Sequence, residues 1–388
     1  MLIHRLADAS PYSFFVHEQA RALVQRGHKV SVISPVSIPP MMDKFRPDWA
    51  KIVRDTPEHL LLDGVEISFP RCLSFGDRGE KLIGGQLYLQ AALPIARKLN
   101  RACPVDLVHA HTIPRDGHAG MQIAKALGVP FAVTGHGTDV IRYFGNDNMP
   151  WKRNIEIVRR ADALMAVSSN LMARLLPYRS PEQISEVVHN GIDFSLLPEG
   201  EVRKPGRILT VGSLKKRKCM DTTIAAFAEI VDKFPKAELR IVGIGELQNA
   251  LMQQISDLNL TGRARLMGGM PHAEVMREMA EADLFVLPSY GEGYGVVYLE
   301  AMAAGCVTIG ALGEGITDTI QDGVNGRLVP AGDKDAVRDA MDWALSHPED
   351  TRAMREHARA SARLLTWAAN AEKTEQVYAR MRNQSKVQ

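Results

Sequence analysis

The feature that most constrains the fold of this chain is a regular alternation of short apolar runs with helical patterns. The runs "KVSVISP", "PFAVTGHG", "RILTVGSL" and "DLFVLPS" are almost continuously apolar, which is typical of parallel strands buried on both faces. Segments with helical spacing, such as "VHEQARALVQRG" and "MDTTIAAFAEIVDKF", lie between such runs. Strands that alternate with helices predict right-handed βαβ units, and therefore an α/β fold with doubly wound sheets.

The alternation occurs in two series, separated by the irregular stretch "VVHNGIDFSLLPEGEVRKPGR". This stretch contains an Asn-Gly pair, several charges and two prolines, a composition that favours a linker. At 388 residues the chain is also long for one domain. We therefore predict a first Rossmann-like domain over residues 1–195, a second over 196–365, and a terminal helix over 366–388.

Composition excludes several other classes of protein. A formal net charge of +2 is too small to indicate nucleic-acid binding. The four cysteines form no CxxC pair, so neither a zinc site nor a redox pair is predicted. The N-terminus has no apolar core of signal-peptide length, and the longest apolar stretch is too short and too broken for a bilayer. We expect a cytoplasmic protein, with peripheral membrane contact left open.

The stretch "PSYGEGYGVVYLEAMAAG" places two carboxylates, Glu292 and Glu300, around a glycine-rich loop. The loop follows a predicted strand at its carboxyl end, where open α/β sheets bind ligands. Gly293 and Gly295 let the backbone approach a ligand, and a helix that begins near Val296 offers amides and a positive dipole to a phosphate. The carboxylate of Glu300 could accept hydrogen bonds from a sugar diol. The alternative is that these residues serve only capping and turn chemistry.

The segment "EGYGVVYLE" resembles the EGxGxxxxE signature of the retaining nucleotide-sugar glycosyltransferases of family 4, which have the GT-B fold. Further stretches, among them "GVPFAVTGHGTDV", "VVHNGID", "GRILTVGSLKKRKCMD" and "ITDTIQDGVNGRLVPAGD", are similar in the family's order. The resemblance covers nearly the whole chain. It implies two Rossmann-like domains that face each other across a cleft, an acceptor-binding first domain, a nucleotide-sugar-binding second domain, and a final helix that crosses back to the first domain.

The resemblance also implies roles for the glycine loop. Glu300 would bind the ribose hydroxyls of the donor, and Glu292 would lie near the transferred sugar. Backbone amides around Gly293, Tyr294 and Gly295 would hold the sugar and the diphosphate, with Val296 beside them at the start of the helix.

A basic run precedes this loop in the sequence. Lys218 matches the family lysine that neutralises the diphosphate, on which negative charge builds as the glycosidic bond breaks. The family usually has an arginine where this chain has Ser213, so a second cation would come from Lys215, Lys216 or Arg217. Without the resemblance, the run would be interpreted as a solvated group of charges.

In the first half, His136 in "TGHGTD" matches the family's active-site histidine, which implies contact with the donor sugar near the reacting bond. It follows a predicted strand and has Gly137 and Asp139 beside it. Asp139 either takes part in substrate binding or only orients the loop.

Three further histidines, His109, His111 and His118, lie in "HAHTIPRDGH". A metal site is one interpretation of this group, but the spacing of the first two does not place a third ligand. The resemblance implies a metal-independent enzyme, and we predict no metal and no cofactor.

The family commonly has a glycine pair after its first strand. Here the segment "ADASPYSFFVHEQ" contains no glycine. Ser10, Ser13 or backbone amides would have to replace that pair.

The resemblance therefore implies a retaining hexosyltransferase that uses a UDP or GDP sugar. Its acceptor would be a glycan or a lipid-linked molecule, in the synthesis of bacterial surface polysaccharide or glycolipid. Three alternatives remain: a GT-B sugar-nucleotide epimerase, a non-catalytic sugar-nucleotide-binding protein, and a nicotinamide-dependent oxidoreductase. Against the last, no GxGxxG follows the first strand.

Overall fold

The computed structural model describes residues 2–3, 14–41, 44, 47–75, 83, 85–144, 152–200 and 203–385. The predicted N-terminal loop with Ser10 and Ser13 lies outside these residues. Contacts between Cα atoms divide the chain into two units: Met1–Asn190 together with Trp367–Gln388, and Gly191–Thr366. The first unit is therefore made of two separate stretches of chain, and the second of one.

The first unit is built on parallel strands. Its described strands are β1 (Leu2–Ile3), β2 (Ser31–Ile33), β3 (Val36–Ile38), β4 (His59–Leu62), β5 (Val65–Ser68), β6 (Arg71–Leu73), β7 (Val108–His111), β8 (Phe131–Gly135), β9 (Ala163–Ala166) and β10 (Ile184–Val187). The main sheet of the described residues has eight strands in the order β10-β9-β8-β7-β1-β2-β5-β4, and β3 and β6 form a separate pair. Every residue of β7, β8 and β9 is buried, as expected for parallel strands covered on both faces.

Strand β4 is the exception, because it pairs with β5 in the antiparallel direction. The two strands are joined by Asp63 and Gly64, whose φ angles are 50° and 78°. Positive φ at both central residues is the requirement of a type I′ hairpin turn, for which Asp-Gly is a preferred sequence. The alternation of strands and helices does not predict this hairpin, although the Asp-Gly pair between apolar residues is a local signal for it.

Helices cover the strands of the first unit. They are α1 (Phe14–Gln25), α2 (Pro47–Asp55), α3 (Gly85–Ala102), α4 (His118–Leu127), α5 (Thr138–Ile141), α6 (Lys152–Arg160) and α7 (Ser169–Leu175). A single π-helical turn, Ile113–Gly117, follows β7. No helix in the described part of the chain is both long enough and apolar enough to span a lipid bilayer.

The second unit has a six-stranded sheet among its described residues. Its strands are β11 (Arg207–Val211), β12 (Glu238–Val242), β13 (Ala264–Gly268), β14 (Leu284–Leu287), β15 (Val307–Ala311) and β16 (Arg327–Val329). Its helices are α8 (Met220–Ile230), α9 (Gln248–Asp257), α10 (His272–Glu281), α11 (Val296–Ala304), α12 (Lys334–Ser346) and α13 (Pro348–Arg363). The strand order is β13-β12-β11-β14-β15-β16, with all neighbours parallel. This is the Rossmann order, in which the direction of winding changes between β11 and β14.

The last helix, α14 (Trp367–Ser385), packs within the first unit. Trp367 is buried with Ala22 and Leu23 of α1, and Val377 and Met381 pack against strands β8 to β10. The side-chain amide of Gln19 on α1 donates hydrogen bonds to the side chains of Asn370 and Thr374 on α14, at 2.8 and 3.0 Å. These contacts fix the helix to the sheet by both apolar and polar groups.

Candidate active site

The point where the winding of the second sheet changes is formed by two loops. One follows β11 and contains Ser213 and the basic run, and the other follows β14 and contains the glycine-rich residues. Ligands of open α/β sheets bind in the crevice at the carboxyl ends of the strands at such a point. The fold therefore brings the two motifs that the sequence analysis selected in this half of the chain to one edge of one sheet.

The backbone of the glycine loop requires glycine where it joins α11. Gly295 has a φ of 80°, and a Cβ atom there would lie 2.5 Å from Cδ2 of Tyr298. The neighbouring loop requires glycine at Gly315, since a Cβ atom there would lie 2.1 Å from the Gly293 carbonyl oxygen. The loop thus reaches Val296, the first residue of α11, with its backbone in close contact with the neighbouring loop.

Two tyrosines anchor the loop from inside the unit. The Tyr294 side chain is buried, with its hydroxyl 2.8 Å from the Thr319 hydroxyl. The Tyr298 hydroxyl donates a hydrogen bond to the Leu287 carbonyl oxygen at 2.6 Å. Burial raises the pKa of both tyrosines, so both hydroxyls stay protonated. Because its side chain packs inward, Tyr294 can offer a ligand mainly its backbone.

Glu314, which follows the neighbouring strand β15, binds the backbone of the glycine loop. It was not predicted from the sequence. Its two carboxylate oxygens accept hydrogen bonds from the amides of Gly291 and Glu292, at 3.0 and 2.7 Å. The residue follows β15, in "GEGITD". A second Glu-Gly pair after a second buried strand was the signal that could have identified it.

Glu292 is the point at which the two predicted motifs meet. Its buried carboxylate oxygen Oε1 lies 2.6 Å from Nη1 of Arg217 and 2.7 Å from Nζ of Lys218. Lys215 and Lys216 are exposed instead. The carboxylate therefore holds both cations beside the glycine loop, where their remaining donors could bind a phosphate-bearing ligand.

Close approach of the backbone shapes the loop after β11. A Cβ atom on Gly243 would lie 1.8 Å from the carbonyl oxygen of Gly212, and the Leu214 amide donates to the Ile244 carbonyl at 2.9 Å. Ser213 lies between these anchored residues, and its carbonyl oxygen accepts a hydrogen bond from Lys215 at 2.8 Å. The cations that follow are therefore held by a rigid turn, the 3₁₀ segment Lys216–Lys218.

Glu300 lies in the second turn of α11 and has a partner outside that helix. Its carboxylate oxygen Oε1 is 2.8 Å from Nε2 of His272, the first residue of α10. The Glu300 side chain is 12% exposed and that of His272 is 38% exposed, so the pair lies at the surface of the crevice rather than within the core. The sequence analysis did not select His272, because no local pattern relates it to Glu300.

In the first unit, His136 follows β8 in a loop that Asp139 holds. Oδ1 of Asp139 accepts hydrogen bonds from the amides of His136 and Gly137 at 3.0 and 2.8 Å. Oδ2 accepts a bond from the amide of Ile113 at 3.2 Å. Burial raises the pKa of Asp139, and these amides oppose that shift. The contacts within the structure therefore match the alternative in which Asp139 orients the loop.

His136 is part of a row of imidazoles. Its Nε2 lies 3.0 Å from Nδ1 of His111, and the His111 ring stacks near that of His109 with a centroid separation of 4.2 Å. His109 lies between the hydroxyls of Tyr378 on α14 and Thr134 on β8, each at 2.7 Å. Burial is the main cause that lowers the pKa of His109 and His111 well below the ordinary value. These two rings are therefore neutral, and the neutral His111 orients His136 by a hydrogen bond.

The same histidines do not form a metal-ligand set. Within the described ranges, no three His, Cys, Asp or Glu residues are grouped so that they could hold a metal ion. His118 begins α4, where burial lowers the pKa of its imidazole.

Comparison with known proteins gives a consistent result for both halves of the chain. Residues 13–196 match the family model "Glycosyltransferase Family 4", and residues 197–361 match "Glycosyl transferases group 1". Glycogen synthase from Mycobacterium tuberculosis (strain ATCC 25618 / H37Rv) is 30% identical, over 94% of this chain and 89% of that protein. D-inositol 3-phosphate glycosyltransferase from Nocardioides sp. is 26% identical, over 97% of this chain and 86% of that protein.

Solved structures give the same fold. Sucrose-phosphate synthase from Thermosynechococcus elongatus has a TM-score of 0.77 at 19% identity, over 98% of both chains. HepE from Anabaena, in complex with UDP and glucose, has a TM-score of 0.72 at 16% identity, over 97% of this chain and 99% of that one. The α/β prediction of two Rossmann-like domains of GT-B type is confirmed. The chain belongs to the glycosyltransferases of family 4.

Proposed function

We propose that this glycosyltransferase moves a sugar from a nucleoside-diphosphate sugar to an acceptor hydroxyl, with retention of the anomeric configuration and without a metal ion. The observation that carries the proposal is the contact of both Arg217 and Lys218 with Glu292, beside the N-terminus of α11. The positive charge of this group is fixed in place before any ligand arrives. Such preorganised charge is what a departing diphosphate requires.

The proposal assigns roles to the predicted residues of the glycine loop and the basic run. The amides around Gly293 and Gly295 and the start of α11 hold the diphosphate, and Lys218 stabilises the negative charge that grows on it as the anomeric bond breaks. The carboxylate of Glu292 keeps the two cations in position. Glu300 accepts hydrogen bonds from the ribose hydroxyls.

His136 is the candidate of the first unit for contact with the transferred sugar. Its hydrogen bond with a neutral His111 supports a role as a hydrogen-bonding group. The acceptor hydroxyl attacks the anomeric carbon on the face from which the diphosphate leaves, and its proton passes to a diphosphate oxygen. The cations take the place that a divalent metal has in other transferases.

For the donor we propose a UDP sugar first and a GDP sugar second, because the HepE structure contains UDP and glucose. For the acceptor, the names of the two relatives suggest either a glycan or a phosphorylated polyol. A lipid-linked acceptor in surface polysaccharide or glycolipid synthesis, met by peripheral membrane contact, remains a proposal. It is supported by the exposed basic residues Lys152, Arg159 and Arg160 of α6.

The experiment is an assay of the purified protein with UDP and GDP sugars, in the presence of EDTA, with and without glycan, polyol phosphate and lipid-linked acceptors. Proton NMR of the product reports the anomeric configuration. An α-linked product from an α-linked donor is expected. An inverted product overturns the retaining mechanism, conversion of the donor without acceptor favours the epimerase, and nucleotide binding without turnover favours the non-catalytic protein.

A further inference from the structure

A cavity of about 380 Å³ lies in the second unit, at the end of helix α11 that is farther from the glycine loop. Helix α11 begins at that loop and ends at Ala304, and Ala303 and Ala304 line the cavity. Nine helical residues at about 1.5 Å each separate the two sites by roughly 13 Å along this helix. The cavity is therefore distinct from the proposed donor site.

Three arginines line this cavity: Arg203, Arg359 and Arg363. Two of them bind the end of α11. Arg203 donates hydrogen bonds to the carbonyl oxygens of Ala282 and Ala304, the second at 3.1 Å, and Arg359 donates to that of Ala304 at 3.0 Å. Arg359 also lies directly over Gly305, where a Cβ atom would be 2.5 Å from its Nε. Cations at the C-terminal end of a helix are stabilising, and this capping accounts for the positions of Arg203 and Arg359.

Capping does not account for Arg363. The side chain of this last residue of α13 has no hydrogen bond or ion pair with any residue in the described part of the chain, although it lines the same cavity. Among the described residues that line the cavity, none is acidic. The nearby carboxylate of Asp283 is paired with a different arginine, Arg355, at 3.2 Å.

Among the described residues no carboxylate pairs with these three guanidinium groups, so their like charges repel each other. Burial lowers the pKa of Arg359, and the charges of Arg203 and Arg363 lower it further. Like charges held together at a concave site indicate that an anion stabilises them.

We propose that this cavity is a second ligand site that binds a small phosphomonoester. Guanidinium groups match the oxygens of a phosphate in a bidentate geometry, and Arg363 has its donors available for that contact. Phe194, Leu197 and Pro198 form a less polar wall that would accommodate the rest of the molecule. The volume lies within the range of small-molecule sites.

The test is isothermal titration calorimetry of the full chain with inorganic phosphate and with a series of phosphomonoesters of increasing size. The donor site is expected to bind phosphate too, so four proteins are compared: wild type, Arg363→Gln, Arg352→Gln and Lys218→Met. Arg352 lies on the same helix as Arg363, is exposed and does not line the cavity, which makes it a matched control for charge.

We expect Arg363→Gln to weaken the affinity of one class of phosphomonoester site by at least about tenfold, which corresponds to about 1.4 kcal/mol. Arg352→Gln should keep the wild-type affinity of that class. Lys218→Met should lose binding only at the other class, the donor site. The melting temperature of Arg363→Gln should match that of the wild type without ligand, which excludes misfolding as the cause. Equal affinities in Arg363→Gln and Arg352→Gln overturn the proposal, as does a single class of binding that disappears with Lys218→Met. The same proteins are also titrated with vesicles that contain phosphatidic acid. Binding seen only with these vesicles overturns the proposal, because the ligand would then be a lipid surface.

Discussion

Two loops, one in each unit, follow the buried parallel strands β8 and β14, and in both a carboxylate accepts hydrogen bonds from backbone amides. Asp139 does this for the loop of His136, and Glu314 does it for the glycine loop. The side chains around them differ in charge. The first loop contacts buried imidazoles, and the second places a carboxylate between two cations.

We propose that this difference suits the two loops to two kinds of ligand. Neutral imidazoles in a buried row can exchange hydrogen bonds with hydroxyl groups without attracting ions. Cations held in place offer charged donors to phosphate. The following experiments separate the two loops, beginning with the one expected to have the largest effect.

The first loop and helix α14 belong to one unit, and the second loop belongs to the other. Trp367→Ala should remove a buried side chain between α14 and α1 and cost about 3–5 kcal/mol in the free energy of unfolding of the first unit. Hydrogen exchange should therefore speed up in β8, residues 131–135, and remain unchanged in β14, residues 284–287. The control is Leu364→Ala, because Leu364 is 76% exposed. Equal acceleration in both strands would contradict this separation.

The charge of the second loop is tested by Lys218→Met, which keeps most of the buried stem and removes the cation. Loss of a preorganised group that stabilises transition-state charge is expected to lower kcat about 10²–10³-fold. The measurement is turnover at saturating donor, with the exposed Lys215→Met as control. A variant with an unchanged kcat and only a raised KM would show that Lys218 binds the ground state alone.

Glu300→Ala tests whether Glu300 binds the ribose diol of the donor nucleotide. Loss of a charged hydrogen-bond acceptor should weaken nucleotide binding by about 1.5–3 kcal/mol in calorimetry. Glu274→Ala is the matched control, since Glu274 is an exposed acid on the adjacent helix α10. If both variants bind the nucleotide as the wild type does, the diol does not contact Glu300.

The imidazole row predicts a pH dependence for the first unit alone. The pKa of His109 and His111 in the folded protein lies below the ordinary value of 6.5, so below pH 6.5 the unfolded chain binds more protons than the folded one. Stability should therefore fall as the pH falls below 6.5, by about 1.4 kcal/mol per histidine and pH unit at most. Hydrogen exchange of β8 at pH 7.5 and 5.5, corrected for intrinsic rates, measures this effect. Loss of protection in β14 as well would indicate a general effect of acid.

Much of the fold could be predicted from the sequence because parallel strands covered on both faces leave long apolar runs. The start of α11 at Val296 was predictable as well, since the glycines before it and the helix-forming residues after it are local signals. The hairpin of β4 and β5 was not predicted from the alternation of strands and helices, and only the Asp63-Gly64 pair is a local signal for it.

The partners within the site could not be predicted, because they are far apart in the sequence. Glu314 lies 23 residues from Gly291, and His272 lies 28 residues from Glu300. No periodic pattern relates residues at such separations, and only the order of strands brings them together. The contact of Glu292 with Arg217 rather than with Lys215 or Lys216 could not be predicted either. It depends on the 3₁₀ turn, which determines which side chains of the basic run reach Glu292.

The division of the first unit into two stretches of chain has a consequence for synthesis. Residues 191–366 leave the ribosome before α14 does, so the second unit can fold while the first still lacks its last helix. Until then the apolar faces of α1 and of strands β8 to β10 that α14 covers are open to water, and Gln19 lacks its partners on that helix. The nascent first unit is therefore the part of the protein most exposed to aggregation and to chaperones, although it is translated first.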